Sequence, residues 1–435
     1  MSIFSRIHNS SHFLFYLGMI LITFNIFPFQ YYGLGASKAL SMIPLILYDI
    51  QKLLEKKYSL PPSFILEIVI IIILILVSSF IGVFVLNSLD GTSTAISMWG
   101  SYIIIFLAFN SFISQADGND VKLMLECIFF SFKISFVFGV LEVLNFTIIR
   151  NDIIVKIIRL FVRDDLYLSQ GRLQFNFGEP GDAGAIIVIL LIPVVYFLKK
   201  KNYKFSLFEI LTITGIFLME GFFAQSGSYA SLLIVFFITI VVVKFGKLKK
   251  KIVYFIPLAL TISVILFFVS QIDWAAIATE NNVRLLKLAT EKSDAFADDN
   301  SSGVRIGMWV VSFEVWKNHY LLGTGVGNFG YFFNEGIQAL DAVYFNSEMV
   351  GKTDMNLQQT YSIVSTAFVE GGVLGCVWLF IFLRKLQWRN KAMEYYIPSF
   401  LVSLLQNMVI YQPVFCLVYF MLSNKKIVKL LEVQS

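Results

Sequence analysis

Stretches of roughly twenty apolar residues recur along almost the whole chain, and they leave few ways to fold it. About 20 apolar residues in helical form cross about 30 Å of hydrocarbon. Within lipid, only helices or closed barrels satisfy their own backbone groups. Runs that meet or approach this length cover 12–30, 34–50, 63–87, 96–115, 123–148, 182–198, 206–223, 229–245, 252–270, 361–383, 395–410 and 412–424. The sequence therefore predicts an all-α polytopic membrane protein, one integral domain over 1–435 with about twelve transmembrane helices. Only 14% of the 435 residues are charged, against about a quarter in a soluble domain. That excludes a soluble enzyme, a disordered chain and a nucleic-acid binder. The first run has no small-residue cleavage site after it, so it is expected to be a span and not a removable signal.

Charge sets the expected orientation. Short loops rich in Lys and Arg face the cytoplasm. Twelve spans with a cytoplasmic N-terminus place 21 of the 34 basic residues there, among them Lys199, Lys200, Lys201 and Lys247. Merging the last two runs across Pro413 would put Lys425 and Lys426 outside, so they are read as two spans with both termini cytoplasmic. Two long external loops result, about 149–181 and 271–360. The first opens with Ile/Leu/Phe at helical spacing from Ile153 to Val162, with Lys156 and Arg159 between. That pattern fits either a helix lying in the membrane interface or an amphipathic lid that seals the bundle.

Externally placed arginines suit an anionic ligand, because a guanidinium grips phosphate in bidentate fashion and stays charged. Arg172 precedes Phe177-Gly178-Glu179-Pro180-Gly181-Asp182, a turn leading into the sixth span; a solvated loop end with a helix cap is the alternative. Arg305 lies in a helical pattern from Ser302 to Tyr320 and shares one face with Trp309, Ser312 and Trp316. That stripe suits a phosphate-bearing sugar, or equally a helix packing its tryptophans on the bundle. The turn Gly323-Thr324-Gly325-Val326-Gly327 is a candidate phosphate cradle through backbone N–H groups, but it lacks the Lys-Ser/Thr of a nucleotide-binding loop. Arg163 and Arg284 are weaker candidates for phosphate and Tyr361 for sugar. Glu142 and Glu370 lie inside apolar runs, where a carboxylate is costly and signals function by default. Glu370 pairing with an arginine and Lys133 facing a cavity are the structural alternatives. Cys127, Cys376 and Cys416 lie in apolar runs and predict no disulfide framework. His8, His12 and His319 form no Cys/His cluster, so no metal or other cofactor is expected.

Taken together and in this order, several short strings resemble the Wzy/WaaL superfamily of O-antigen polymerases and ligases. They are Arg172 with Phe177-Gly178-Glu179-Pro180, Gln225-Ser226-Gly227-Ser228, Arg305 through Trp309 and His319 to Gly327, and Glu370-Gly371-Gly372-Val373-Leu374-Gly375. The resemblance extends to the layout, with the largest external loop before the last three spans. It implies an inverting, metal-independent glycosyl transfer at the external membrane face of the bacterial inner membrane. Undecaprenyl-diphosphate-linked glycan would serve as donor and acceptor, and a chain-length regulator is a possible partner. Arg172 and Arg305 would stabilise the departing diphosphate, with Glu179 as the candidate base. Ligases of the superfamily carry a His-Asn pair about nine residues before the glutamate of span ten. Those positions here are Tyr361 and Ser362, which favours a polymerase making O-antigen, capsule or a similar glycan. The loosely met spacing of eleven residues between Arg172 and Gly184 departs from the family pattern. The competing expectations are an O-antigen ligase and a flippase for the same lipid, although transporters built from two halves carry their long loop in the cytoplasm.

Overall fold

The computed structural model describes residues 3–8, 10–25, 39–57, 61–149, 152–161, 172–224, 226–246, 300–337, 360, 362–388, 390, 392–406 and 412–432. Among the described residues there is no strand. The first half of the chain forms α1 (Ile3–His8), α2 (Phe13–Ile20), α3 (Met42–Leu54), α4 (Pro62–Ile81), α5 (Asp90–Gln115), α6 (Gly118–Leu144), α7 (Asp152–Arg159), α8 (Pro180–Ile186) and α9 (Ile192–Lys200). The second half forms α10 (Leu207–Met219), α11 (Gly227–Gly246), α12 (Asn300–His319), α13 (Phe329–Ile337), α14 (Ile363–Ser365), α15 (Gly372–Arg384), α16 (Ile397–Gln406), α17 (Pro413–Ser423) and α18 (Lys425–Glu432). Wider π-helical turns extend or interrupt several of these at Gly82–Leu86, Asn145–Ile149, Ile187–Leu191, Glu220–Ala224 and Thr366–Glu370.

Among the described residues, five segments are long and apolar enough to cross a membrane: Phe64–Leu86, Asp90–Gln115, Gly118–Thr147, Pro180–Lys200 and Leu207–Ala224. Gly227–Val241, Gly372–Arg384, Ile397–Gln406 and Pro413–Ser423 are shorter apolar helices. The architecture is thus an all-α membrane protein, but the expected count of twelve spans is not reproduced among the described residues. Apolar length overstates helix length wherever the backbone breaks. The run 361–383 divides at Gly371 and Gly372, the runs 12–30 and 34–50 supply helices of 8 and 13 residues, and 252–270 lies outside the described residues. The last two runs form separate helices, α16 and α17, as Pro413 at the start of α17 leads one to expect. Helix α18 was not anticipated. Its buried stripe of Ile427, Val428 and Leu431 packs beneath the bundle, and the Asn424 side chain caps it by accepting from Lys426 N at 2.9 Å.

The long helix α6 serves as a ruler. From Asp120 to Glu142 it rises about 33 Å at 1.5 Å per residue, close to the thickness of the hydrocarbon layer. At the Asp120 end, Tyr16 donates to Asp120 at 3.0 Å, Lys426 to the Ser114 carbonyl at 2.9 Å and Arg6 pairs with Glu126. Nearby, Lys52 and Gln51 donate to Glu55 at the end of α3 and hold its carboxyl down to about 2. This end gathers the lysines that follow α3 and α9, whereas Glu142 marks the opposite end.

Lipid is as apolar as a leucine side chain, so close packing and polar contacts hold such a bundle together. Phe382 stacks on Tyr419 with centroids 3.9 Å apart and planes at 12°, and Phe415 and Phe400 extend that column. Polar partners were less legible. Lys133 does not face a cavity; it pairs with Glu209 of α10, which also accepts from Tyr203. Lys385 pairs with Glu67 of α4, a fully buried carboxylate that also receives the Tyr102 hydroxyl. Removing one member of such a pair strands the other, at about 3–5 kcal/mol. Lys385→Ala should therefore lower the thermal unfolding temperature in detergent markedly. Glu67→Gln combined with Lys385→Met should recover most of it, and an additive double variant would contradict a direct coupling.

Candidate functional site

Residues 172–179 run as irregular backbone into the start of α8, with Leu173 through Phe177 all buried. Irregular backbone at such depth needs partners inside the protein, and Glu142 supplies them. Its Oε2 accepts from Gln174 N at 2.8 Å and from Phe175 N at 3.1 Å. Asn176 donates to Thr23 Oγ1 at 2.9 Å, which meets Ser131 Oγ at 2.6 Å, so the segment is also tied to α6 through the chain after α2. Phe175 has φ +54°, a left-handed conformation rare for an aromatic residue. The missing Cβ of Gly139 makes room for its ring; one there would stand 2.6 Å from a ring atom. Gly178, at φ +85°, completes the turn. Half-buried Glu179 then takes the cap position of α8, Pro180 its first turn, and Asp182 accepts from Gln412 at 3.2 Å.

The turn brings Arg172 against α10. Its Nε donates to the Ala224 carbonyl at 3.2 Å. Ala224 ends a π-helical turn that starts at Glu220, and such turns often re-aim side chains at functional sites. Glu220 is fully buried. A Cβ added at Gly184 would lie 2.8 Å from Glu220 Oε1 and 2.7 Å from Ser226 Oγ, so these groups converge on the bare face of Gly184. Buried polar atoms recur along these segments: Glu142 Oε1, both Glu220 oxygens, both ends of the Gln174 amide, Asn176 Oδ1 and Ser228 Oγ lack hydrogen-bond partners among the described residues. Each orphan costs about 1–3 kcal/mol if left dry. Such a concentration marks a place that receives water or a polar ligand.

A second polar assembly forms where α12 meets α15. His319 contacts Glu335 of α13 at 2.9 Å, which fixes the helix pair below the Gly-rich turn. The amides of that turn are committed to the protein. Gly323 N donates to the His319 carbonyl at 2.8 Å, Thr324 N to Val369 O at 3.0 Å, and Gly325 N to Glu370 O at 3.0 Å. Gly327 N donates to Glu370 Oε2 at 3.0 Å, and Thr360 Oγ1 lies 3.3 Å from Glu370 Oε1. Those four N–H groups are therefore turned inward, and the turn docks on the helix containing Glu370. Among the described residues Glu370 holds a backbone amide and a threonine, and the expected arginine is not among these partners. Trp309 packs its ring on Phe368 at 5.8 Å and donates to the Leu405 carbonyl at 3.2 Å, while Trp316 meets Phe368 edge-on. The tryptophan stripe thus packs on the bundle.

The structure joins Arg172 and Glu179 in one segment, and Gly323, Gly325, Trp309 and Glu370 in another. Arg305 lies on α12, at a position whose side chain is outside the described residues. Arg163, Arg284 and Tyr361 fall outside them altogether. Glu220 was missed, although its signal was available: a carboxylate deep within the apolar run 206–223, eleven residues past Glu209, meets the same rule that singled out Glu142 and Glu370.

The fold and site define a polytopic helical membrane protein with a buried, arginine-bearing polar site at the end of the bundle away from its lysines. Residues 214–380 match the family model Wzy_C, described as O-antigen ligase. The match spans Gln225-Ser226-Gly227-Ser228, α12, the Gly-rich turn and Glu370, and it supports membership of the Wzy/WaaL superfamily of O-antigen polymerases and ligases. Members of that family are glycosyltransferase-like enzymes acting on lipid-linked sugars in the membrane. No curated protein and no solved structure matches the chain.

The Gly-rich turn makes a prediction that depends on backbone alone. Gly323 has φ +74°, and a Cβ there would sit 2.2 Å from the Glu370 carbonyl oxygen. The conformation costs a non-glycine residue about 1–3 kcal/mol before the clash is counted. Gly323→Ala should lower the unfolding temperature and detach the turn, seen as new protease cleavage near 323–327. Unchanged stability and cleavage would contradict the docking.

Proposed function

We propose that this protein is a polysaccharide polymerase that moves a glycan from its polyprenyl diphosphate carrier onto a hydroxyl of another lipid-linked repeat unit, with inversion and without metal. The observation that carries the reading is Arg172, anchored through its Nε to the Ala224 carbonyl at the rim of a buried cluster of amide, hydroxyl and carboxylate groups. Amides, hydroxyls and carboxylates are the complement of a sugar's hydroxyls, and a guanidinium is the complement of a diphosphate. Departure of the diphosphate develops negative charge that a fixed guanidinium stabilises where water is scarce. Arg305, on the helix of Trp309, would supply the second cation, and Arg163 and Arg284 would assist with phosphate. Glu179, at the N-cap position of α8 seven residues after Arg172, is the base suggested by sequence position.

A specific observation favours polymerase over ligase. The ligase His-Asn positions are Tyr361 and Ser362, and Ser362 is already occupied in capping a helix, its Oγ accepting from Ser365 N at 3.0 Å. His319, the described histidine nearest those positions in sequence, contacts Glu335. The lysine-rich end would face the cytoplasm, as basic loops do, and the Arg172 end the outside, where a chain-length regulator would meet the growing glycan. Electrophoresis of surface glycan from a deletion strain tests the reading. Loss of the long ladder, with single repeat units still attached, is expected. Loss of all attached glycan with polymer on the carrier would make it a ligase, and repeat units stranded on the cytoplasmic face a flippase. In complementation, Arg172→Ala, Arg305→Ala and Arg305→Lys should each fail to restore the ladder while the protein remains in the membrane. A normal ladder from any of them would remove that arginine from the site.

A further inference from the structure

We propose that Glu220 is the proton acceptor of this site, the carboxylate that takes the proton of the attacking sugar hydroxyl. The inference rests on the glycosyl-transfer reading above and replaces Glu179 in that role. The two carboxylates differ in placement. Glu179 occupies the N-cap position of a helix at the edge of the segment, half-buried. Glu220 is fully buried, and neither of its oxygens has a hydrogen-bond partner among the described residues. A structural carboxylate at this depth normally receives amides or hydroxyls, as Glu142 does through Oε2 and Glu370 and Glu67 do in this protein. Glu220 stands apart from all three.

Its surroundings are those of a reacting group. It opens the π-helical turn whose last carbonyl, that of Ala224, receives Arg172 Nε at 3.2 Å. The carboxylate and the guanidinium are therefore delivered by the two ends of one short turn and lie within electrostatic reach of each other. The other described charged group bearing on Glu220 is Glu142, which is committed through Oε2 to the backbone of the Arg172 segment. Gly184 lets α8 come close to this carboxylate, since a methyl there would stand 2.8 Å from Glu220 Oε1, 2.7 Å from Ser226 Oγ and 2.7 Å from Tyr229 Cβ. Ser226 and Ser228, on the neighbouring turn, offer hydroxyls to a second sugar oxygen; Ser228 Oγ is itself buried and has no hydrogen-bond partner among the described residues.

The step balances as follows. The acceptor hydroxyl oxygen bonds to the anomeric carbon while the bond from that carbon to the diphosphate oxygen breaks. The bonding pair leaves with the diphosphate, whose charge Arg172 meets, and the hydroxyl proton passes to Glu220. General-base assistance of this kind contributes about 10²–10⁴-fold.

The test uses the full-length protein purified in detergent or nanodiscs, with a lipid-diphosphate-linked repeat unit as substrate. Glu220→Gln preserves shape and volume and should lower kcat by 10²-fold or more with KM nearly unchanged and the unfolding temperature preserved. Glu220→Ala should be equally inactive, and formate or azide should restore part of its turnover by standing in as the base. An unaltered kcat for Glu220→Gln would overturn the assignment. So would a loss matched by unfolding with no formate rescue, which is the signature of a packing role. Formate rescue of Glu179→Ala alone would return the base to Glu179. Absence of turnover by the wild-type protein with this substrate would instead count against the glycosyl-transfer reading, so the two failures are told apart.

Discussion

The carboxylate of Glu142 receiving two backbone amides is the contact on which the rest of this structure leans. A chain cannot run irregularly at membrane depth unless its N–H and C=O groups find partners inside the protein. Glu142 binds the amides of Gln174 and Phe175, and that is what allows a buried non-helical segment to lie inside the bundle. The strained Phe175 and the bare Gly139 face follow from the same need, because the segment must turn sharply against α6. Once it is held, Arg172 reaches the Ala224 carbonyl and Gly184 comes to rest against Glu220 and Ser226. A structural carboxylate thereby builds the site, and a second one, without a hydrogen-bond partner among the described residues, is left within it.

The same economy governs the other assembly. Glu370 joins the Gly-rich turn, Thr360 and its own helix. Lys385 with Glu67 and Lys133 with Glu209 do comparable work nearer the lysine-rich end. In a medium where apolar surface gives helices no preference for one another, such polar contacts and stacked rings select the arrangement.

Much of this was legible in the sequence and some was not, for definable reasons. Apolar runs gave the helical membrane class, and the charge of the loops separated two ends of the bundle. Helical spacing located α7 and α12 to within a few residues of their observed limits. Hydropathy could not count spans, because Gly371 and Gly372 break a run whose composition is uninterrupted. Carboxylates in apolar runs correctly marked Glu142 and Glu370 as costly residues needing an explanation. Their partners were invisible, since backbone amides fifty residues away or less leave no trace in composition. Glu220 met the same rule but its run was read as a plain span, and the three-dimensional convergence of Arg172, Gly184 and Ser226 is what sets it apart from Glu209 in that run. The glycine pattern from 323 to 327 was read as open to phosphate, whereas docking on the Glu370 segment uses three of its amides and the end of α12 takes a fourth.

The central claim is that the substrate's reacting end lies at the Arg172–Glu220 cluster, remote from the lysine-rich end. Photocrosslinking tests it most directly, using a lipid-diphosphate glycan that carries a diazirine beside the diphosphate, with adducts mapped by mass spectrometry on the membrane-embedded protein. Adducts within 172–184 and 220–229 are predicted, competed away by unmodified lipid-linked glycan. Adducts confined to the peptides around Lys52, Lys201 and Lys385, with none at Arg172 or Glu220, would contradict the account.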